Sequence, residues 1–383
     1  MSRKKKIMIL GASELQVPAI ECCKKLGFES LAVDYDPNAA GFEIADKVYV
    51  VSTLDYEKVL EVATEEKIDG ILTICSDRPM TVVARVGEKL GLNTISYDTS
   101  IKATNKAKMR MALKENNVPI PEFAVCTSKT EFEQNIMKFD YPFIVKPSDN
   151  SGSRGITLVN NHKDAEFAYE YARENTLDGV VLVEEYMVGP EVSVEIFVYE
   201  GEPKVIQVTD KITTGAPHFV EMGHTQPSAL PDEMLKDIKN VAVAATKALG
   251  IDKGPAHVEI KVTDKGAKIV ELGARLGGDY IATDLVPLST GYDMVRATVL
   301  CAANEPLPDY INEHNCSAIR YFSYEHSINL TSKVITKLER IFINRIENKE
   351  ILSSRDREGF FIVRATDFDS LYQSIEEVTK KIH

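Results

Sequence analysis

The chain has 383 residues, 44% of them hydrophobic and 27% charged. This composition supports a buried core and excludes global disorder, and the length suggests two to four packed units at roughly 100–200 residues each. Its 45 Lys+Arg against 58 Asp+Glu give a formal net charge of −13, which argues against a nucleic-acid partner but leaves room for a small anion held by local basic groups. No apolar run approaches the roughly 20 residues needed to cross a bilayer, so no membrane partner is expected. The apolar stretch after MSRKKK is too short for a secretory signal. Six cysteines (Cys22, Cys23, Cys75, Cys126, Cys301 and Cys316) include no CxxC pair, and the seven histidines show no HExxH spacing. Reduced thiols, a cytoplasmic location and no zinc site are the expectation.

In chain order, KIMIL (6–10) reads as a short strand ending at Gly11, and residues 15–26 as a helix stopped by Gly27. SLAVDY (30–35) and KVYVV (47–51) are further strands. A helix over 55–67, a strand GILTIC over 70–75 and a helix over 79–90 follow. Strands separated by helices imply a doubly wound parallel sheet. The dinucleotide fingerprint is missing: Gly11-Ala12-Ser13-Glu14-Leu15-Gln16 offers one glycine where that turn needs three. Asp34 therefore reads as a strand-end turn residue, with Pro37 and Asn38 just beyond it. A boundary falls near 100–106, and a helix over 105–117 ends before Pro119 and Pro121. YPFIVKP (141–147) and ITLV (156–159) are strands on either side of the polar run SDNSGSRG. Then come a helix over 163–174, strands at 180–186 and 191–199, a long helix over 232–249, and a hairpin of HVEIKV (257–262) with AKIVEL (267–272). Past residue 300, strands are expected at 317–323 and 359–364 and a helix at 369–381.

The hairpin carries the sharpest chemistry. With Lys265 at its centre, Glu259 opposes Glu271, and Val258, Ile260 and Val262 share the other face with Val270 and Leu272. Opposed strand residues have Cβ atoms about 4.5–5.5 Å apart. Two carboxylates that close repel unless a proton or a cation joins them, and Mg²⁺ suits such a pair. The competing reading is a solvated face on which Lys261 neutralises one acid. Lys146 ends an apolar strand, so its ammonium needs an anion, unless it simply reaches solvent. The small residues from Ser148 to Gly155 can form an anion nest or a plain loop. Glu184, Glu185 and Met187 lead through Gly189-Pro190 to Glu191, an extended crossing able to hold a nucleoside or merely to connect strands.

Taken in order, TNKAKM (104–109), YPFIVKPSDNSGSRGI (141–156), VEEYMVGPEVSVE (183–195), HVEIK (257–261) and VELGARLGG (270–278) resemble the ATP-grasp superfamily. The likeness covers roughly residues 1–303, and the branch it most resembles is that of amino-acid ligases and short relatives of the carbamoyl-phosphate synthase large chain. It implies an α/β fold: an N-terminal doubly wound sheet (1–104), a small α+β lobe (105–186), a large α+β lobe (187–302), and an extension completing it (303–383).

The resemblance also implies roles. Lys106 and Lys146 would hold ATP phosphates, with Lys146 catalytic as well. The loop bearing Ser148, Ser151, Ser153 and Gly155 would close over the γ-phosphate. Glu184, Glu185 and Met187 would contact adenine, mostly through backbone, and Glu191 the ribose. Glu259 and Glu271 would bind Mg²⁺ or Mn²⁺. Arg275 would steady the acyl phosphate. His218, Glu221, His224, His257 and Arg275 are the substrate candidates, and Asp77 and Arg78 lie at a strand end where ligands bind. One departure stands out. Where many relatives carry ExNxR, this chain reads Glu271-Leu272-Gly273-Ala274-Arg275, so an oxygen ligand is missing. The implied enzyme is an ATP-dependent ligase that joins a small-molecule carboxylate to an amine, in a homodimer. Its rivals are phosphorylation of bicarbonate or formate, as in purine synthesis, and a nucleotide-binding regulator without turnover.

Overall fold

The computed structural model describes residues 3–150, 154–216, 218–309, 313–322, 337–343 and 351–382. The first sheet is parallel, in the order β3-β2-β1-β4, from β1 (Lys6–Leu10), β2 (Glu29–Asp34), β3 (Lys47–Val50) and β4 (Gly70–Leu72). β1 is apolar along its length because both its faces are covered. Met8 and Leu10 meet α2 (Tyr56–Glu66) and α3 (Met80–Leu90), while Ile7 and Ile9 meet α1 (Val17–Lys25).

β4 stops at Leu72, short of the expected Cys75. Gln16 explains the early end. Its buried side chain accepts from the Ile74 N–H at 2.8 Å and donates to the Ile74 carbonyl, so those backbone groups are satisfied without a strand partner. The same amide lies against Gly11, whose missing Cβ would sit 3.0 Å from Gln16 Cγ. The turn that would admit a pyrophosphate is thus filled by protein. Asp34 accepts from the Ala12 N–H at 2.7 Å, a structural role.

Helices α4 (Tyr97–Thr104) and α5 (Lys106–Glu115) lead into an antiparallel sheet, β5-β8-β6-β7. It consists of β5 (Phe123–Cys126), β6 (Phe143–Pro147), β7 (Thr157–Val159) and β8 (Val181–Glu185). Helices α6 (Lys129–Ile136) and α7 (His162–Glu174) cover one face, where Phe132, Phe143 and Tyr169 form the core.

The third sheet has eight antiparallel strands in the order β13-β12-β9-β10-β11-β14-β16-β15. They are β9 (Glu191–Tyr199), β10 (Glu202–Thr213), β11 (Glu221–Gln226), β12 (Gly254–Thr263), β13 (Gly266–Gly273), β14 (Cys316–Phe322), β15 (Leu338–Ile343) and β16 (Gly359–Ala365). Helix α8 (Asp232–Leu249) lays Ile238, Val241, Ala242, Ala245 and Leu249 on this sheet, the spacing of one helical face. Helix α9 (Val286–Thr290) packs on β10 and β14, α10 (Met294–Ala302) returns to β4 and α1, and α11 (Phe368–Ile382) packs on β14 and β16. Among the described residues, no helix is long and apolar enough to cross a membrane.

The β12–β13 hairpin is not centred on Lys265. Thr263 pairs with Gly266 across Asp264 and Lys265, and Ile260 with Ile269. A bulge then shifts the register, so that Glu259 opposes Glu271 after all. The extra residue is Val270. It does not face the core with Val258 and Ile260, as an unbroken ladder would require; Ile269 and Leu272 do, and both are fully buried. A bulge places two residues against one and re-aims the side chains beyond it.

Removing the Gln16 amide should strand the Ile74 backbone groups. The Gln16→Ala variant is expected to lose about 2 kcal/mol, visible as a lower thermal-unfolding midpoint by circular dichroism, with no gain of NADH binding.

Candidate active site

A cleft of about 1090 Å³, open mouth included, lies between the second and third sheets. Ile144 from the second sheet, Ile156 just before β7, Met187 from the crossing after β8, and Val270 from the bulge give it an apolar slot suited to a planar ring. Glu185, Tyr186 and Glu191 also line it, as do Lys106, Lys146, Lys211, Glu221, Glu259 and Glu271.

One end of the cleft is rich in cations. Lys106 and Arg110 are a turn apart on α5, whose start is capped by Asn105 accepting from the Lys108 N–H at 3.0 Å. Arg110 donates to Glu184 at 2.8 and 3.1 Å and to the bulge carbonyl of Val270 at 2.7 Å. Lys146 Nζ lies 2.7 Å from the same Glu184 carboxylate. Lys106 Nζ reaches Glu271 at 2.7 Å and the Asn150 carbonyl at 2.7 Å. Three cations therefore share two carboxylates. Burial works against ionisation of Glu184, but Arg110 and Lys146 outweigh it and hold its carboxyl at about 2. For Lys146, burial prevails over the attraction of Glu184, aided by Arg110 and Lys106, and its pKa falls below the ordinary lysine value. Such a cluster gains from an added anion.

The other end has the opposite balance. Lys211 lies 2.8 Å from Glu191, 3.0 Å from Glu259 and 3.8 Å from Glu221. Lys261 is 3.4 Å from Glu191. His257 Nδ1 meets the buried Glu195 at 2.5 Å, and its Nε2 lies 3.4 Å from Glu259. Burial disfavours the charged imidazole, but Glu195 more than offsets this and raises its pKa to about 9. Lys211, Lys261 and protonated His257 thus face Glu191, Glu195, Glu221 and Glu259, three cations to four carboxylates. Burial pushes Glu221 above the usual carboxylate range.

Several expected residues are placed differently, although Glu184 does line the cleft. Glu184 does not offer its backbone to a ligand, because β8 is paired on both sides within its sheet; its side chain is the counterion of Lys146 and Arg110. Ser148 is fully buried and donates to Asp178 at 2.7 Å, so it anchors the end of β6 rather than covering a ligand. Gly155, at φ 78°, packs against Pro147 and Asn175. Ser151 and Ser153 lie outside the described residues. Arg275 is not on the cleft wall; it donates to Asp77 at 2.8 and 3.2 Å. His224 is buried on β11, 3.6 Å from Asp279, and does not line the cleft. His218 is exposed beside a neighbouring cavity that shares Arg154, Ile156, Phe219 and Glu221 with the cleft.

Arg110, Glu195 and Lys211 were not anticipated. The four-residue spacing from Lys106 to Arg110 is a same-face signal on a helix. Lys211 sits on β10, whose mixed polar sequence gives no clean strand alternation.

Residues 139–284 match the family model of the ATP-grasp domain. Similar solved structures span the whole chain. The L-amino acid ligase from Bacillus licheniformis aligns with a TM-score of 0.83 at 20% identity, over 100% of this chain and 99% of that one. Phosphoribosylglycinamide synthetase from Anaerococcus prevotii gives 0.80 at 23% identity, over 100% and 99%. The biotin carboxylase domain of Hydrogenobacter thermophilus 2-oxoglutarate carboxylase, solved as a dimer with MgADP and bicarbonate, gives 0.77 at 18%, over 100% and 91%.

Since the Glu184 pKa is depressed, the pair's stabilisation is complete above the ordinary value of 4.5 and is lost as pH falls toward about 2. The Arg110→Met variant should lose about 3–5 kcal/mol at neutral pH. Its acid-unfolding midpoint by circular dichroism should move to higher pH.

Proposed function

We propose that the chain is an ATP-dependent ligase that activates a carboxylate as an acyl phosphate and joins it to an amine, most simply an amino acid or similar metabolite. The observation that carries this reading is the opposition of Glu259 and Glu271 across the bulged hairpin, on the wall of a cleft that also presents Lys106 and Lys146.

The donor set fits Mg²⁺ or Mn²⁺: two hard carboxylates from neighbouring strands, each now held by an ammonium, Glu259 by Lys211 and Glu271 by Lys106. When bound, the ion neutralises phosphate charge and aligns the phosphoryl group. Lys106 and Lys146 hold the phosphates, and Glu184 and Arg110 fix where Lys146 points. Ile144, Ile156, Met187 and Val270 clasp the adenine. Glu191 accepts the ribose hydroxyls. Glu195 and His257 brace Glu259, which makes His257 a support rather than a substrate ligand. A carboxylate oxygen of the acceptor acid attacks the γ-phosphorus, and ADP leaves. The amine then attacks the acyl carbon, phosphate departs, and the amine's extra proton is released to solvent. Arg275, held by Asp77 behind the cleft wall, offsets negative charge on the acyl phosphate through its field, and Asn150 and Arg154 at the cleft edge help to exclude water from it. Glu221 and His218 border the acceptor side. The protein acts in the cytoplasm as a homodimer.

The test is ADP and phosphate release over a panel of amino acids, with bicarbonate and formate as the competing substrates. An amino acid should stimulate release, and kcat should fall roughly 100-fold or more in Lys146→Met. The Glu271→Gln variant should need more Mg²⁺ for half-maximal rate. Release stimulated by bicarbonate alone would favour carboxyphosphate chemistry. Tight MgATP binding without release under any condition would favour a regulator.

A further inference from the structure

The Asn-to-Gly departure at position 273 has a physical counterpart in the first sheet. Beyond β4 the chain turns sharply at Cys75, a non-glycine residue at φ 58°. Cys75 Sγ then meets the Gly277 carbonyl at 3.3 Å. This turn carries Asp77 over to the third sheet, where both its carboxylate oxygens accept from the Arg275 guanidinium, at 2.8 and 3.2 Å. Only 18% of the Asp77 side chain and 14% of the Arg275 side chain stay exposed. Gly273 lies directly beneath this pair. A Cβ there would stand 2.8 Å from Asp77 Oδ1 and 3.1 Å from Arg275 Nε. An asparagine at 273 and the Asp77–Arg275 fork cannot occupy the same space.

We propose that Asp77 is a positioning residue for Arg275, and that position 273 is glycine because the Asp77 carboxylate fills the room an asparagine side chain would take. The fork fixes two of the three guanidinium nitrogens. The third, Nη1, is drawn to the Leu276 carbonyl at 3.1 Å, so the group has one orientation. A bidentate contact sets direction as well as charge. The first sheet thereby supplies part of the active site without touching the nucleotide. The inference rests on the ligase reading for the use of Arg275, but its geometric content stands apart from that reading.

The variants are Asp77→Asn, which keeps the shape and loses the charge, Asp77→Ala, Gly273→Ala, and the double variant Asp77→Ala/Gly273→Ala. With the amino acid that best stimulates the unaltered enzyme, Asp77→Asn should lower kcat roughly tenfold or more, with MgATP affinity by calorimetry unchanged. Gly273→Ala should do the same, because its methyl group pushes the carboxylate off the arginine. The double variant should be no worse than Asp77→Ala alone. Penalties that multiply, or an Asp77→Asn enzyme with full kcat, would overturn the proposal. A second readout needs no turnover. In arginine-labelled protein, the Arg275 Nε–H resonance, assigned through Arg275→Lys, should exchange slowly with water and be lost or shifted in Asp77→Asn. An unmoved resonance refutes the positioning role. If no carboxylate stimulates ADP release in the unaltered protein, the ligase reading fails while this resonance still decides the Asp77–Arg275 geometry.

Discussion

A strand sends consecutive side chains to opposite faces, so Val270 and Glu271 ought to diverge. The bulge in β13 lets both look into the cleft while Ile269 and Leu272 stay in the core. Much of the site hangs on this one irregularity. It brings Glu271 opposite Glu259, it adds Val270 to the apolar slot, and it turns the Val270 carbonyl toward Arg110. Arg110 binds Glu184, and Glu184 binds Lys146. A single extra residue in a hairpin thus ties the third sheet to α5 and through it to the second sheet, along a path of buried polar contacts whose members each need the others.

The charges along this path are divided rather than mixed. Lys106, Arg110 and Lys146 outnumber the carboxylates beside them, whereas Glu191, Glu195, Glu221 and Glu259 outnumber theirs. The Lys106–Glu271 contact joins the two ends. A ligand that is anionic at one end and carries a divalent cation at the other would exchange these internal pairs for its own, phosphate for Glu271 at Lys106 and metal for lysine at the two acids. In the structure each of these cleft charges has an opposite charge beside it. That matters because an unpaired buried ion costs several kcal/mol, enough to threaten a fold of ordinary stability.

How much of this could be read from residues alone differs from place to place. The order of strands and helices in the first unit was legible, since parallel strands buried on both faces show as unbroken apolar runs such as KIMIL. So was the pairing of Glu259 with Glu271, although by way of the wrong turn: a hairpin centred on Lys265 and a two-residue turn followed by a bulge give the same pair but differ between turn and bulge, where Ile269 goes to the core and Val270 to the cleft. The strand β10 and its Lys211 were hidden because QVTDKIT alternates poorly, its polar residues being paired within the sheet rather than turned to water. The ion pairing of Glu184 was hidden for the opposite reason. Two adjacent acids at a strand end look exposed, and nothing local shows that one of them lies under a lysine and an arginine from other elements. Ion pairs between distant segments leave no period in the sequence.

Open α/β sheets offer ligands the crevice at the carboxyl ends of their strands. In the first sheet that crevice is closed twice over. The Gln16 amide fills the turn above β1 and holds the chain beyond β4, and the residues that follow, Cys75 and Asp77, reach outward to Gly277 and Arg275. The strand ends that would receive a dinucleotide receive protein groups instead, and the sheet's contribution passes to its neighbour as a fixed carboxylate. Gly273 is the complement of that arrangement. It lacks the side chain that would keep Asp77 out, so the missing asparagine oxygen and the turn beyond β4 are two sides of one steric constraint, set between residues 196 positions apart.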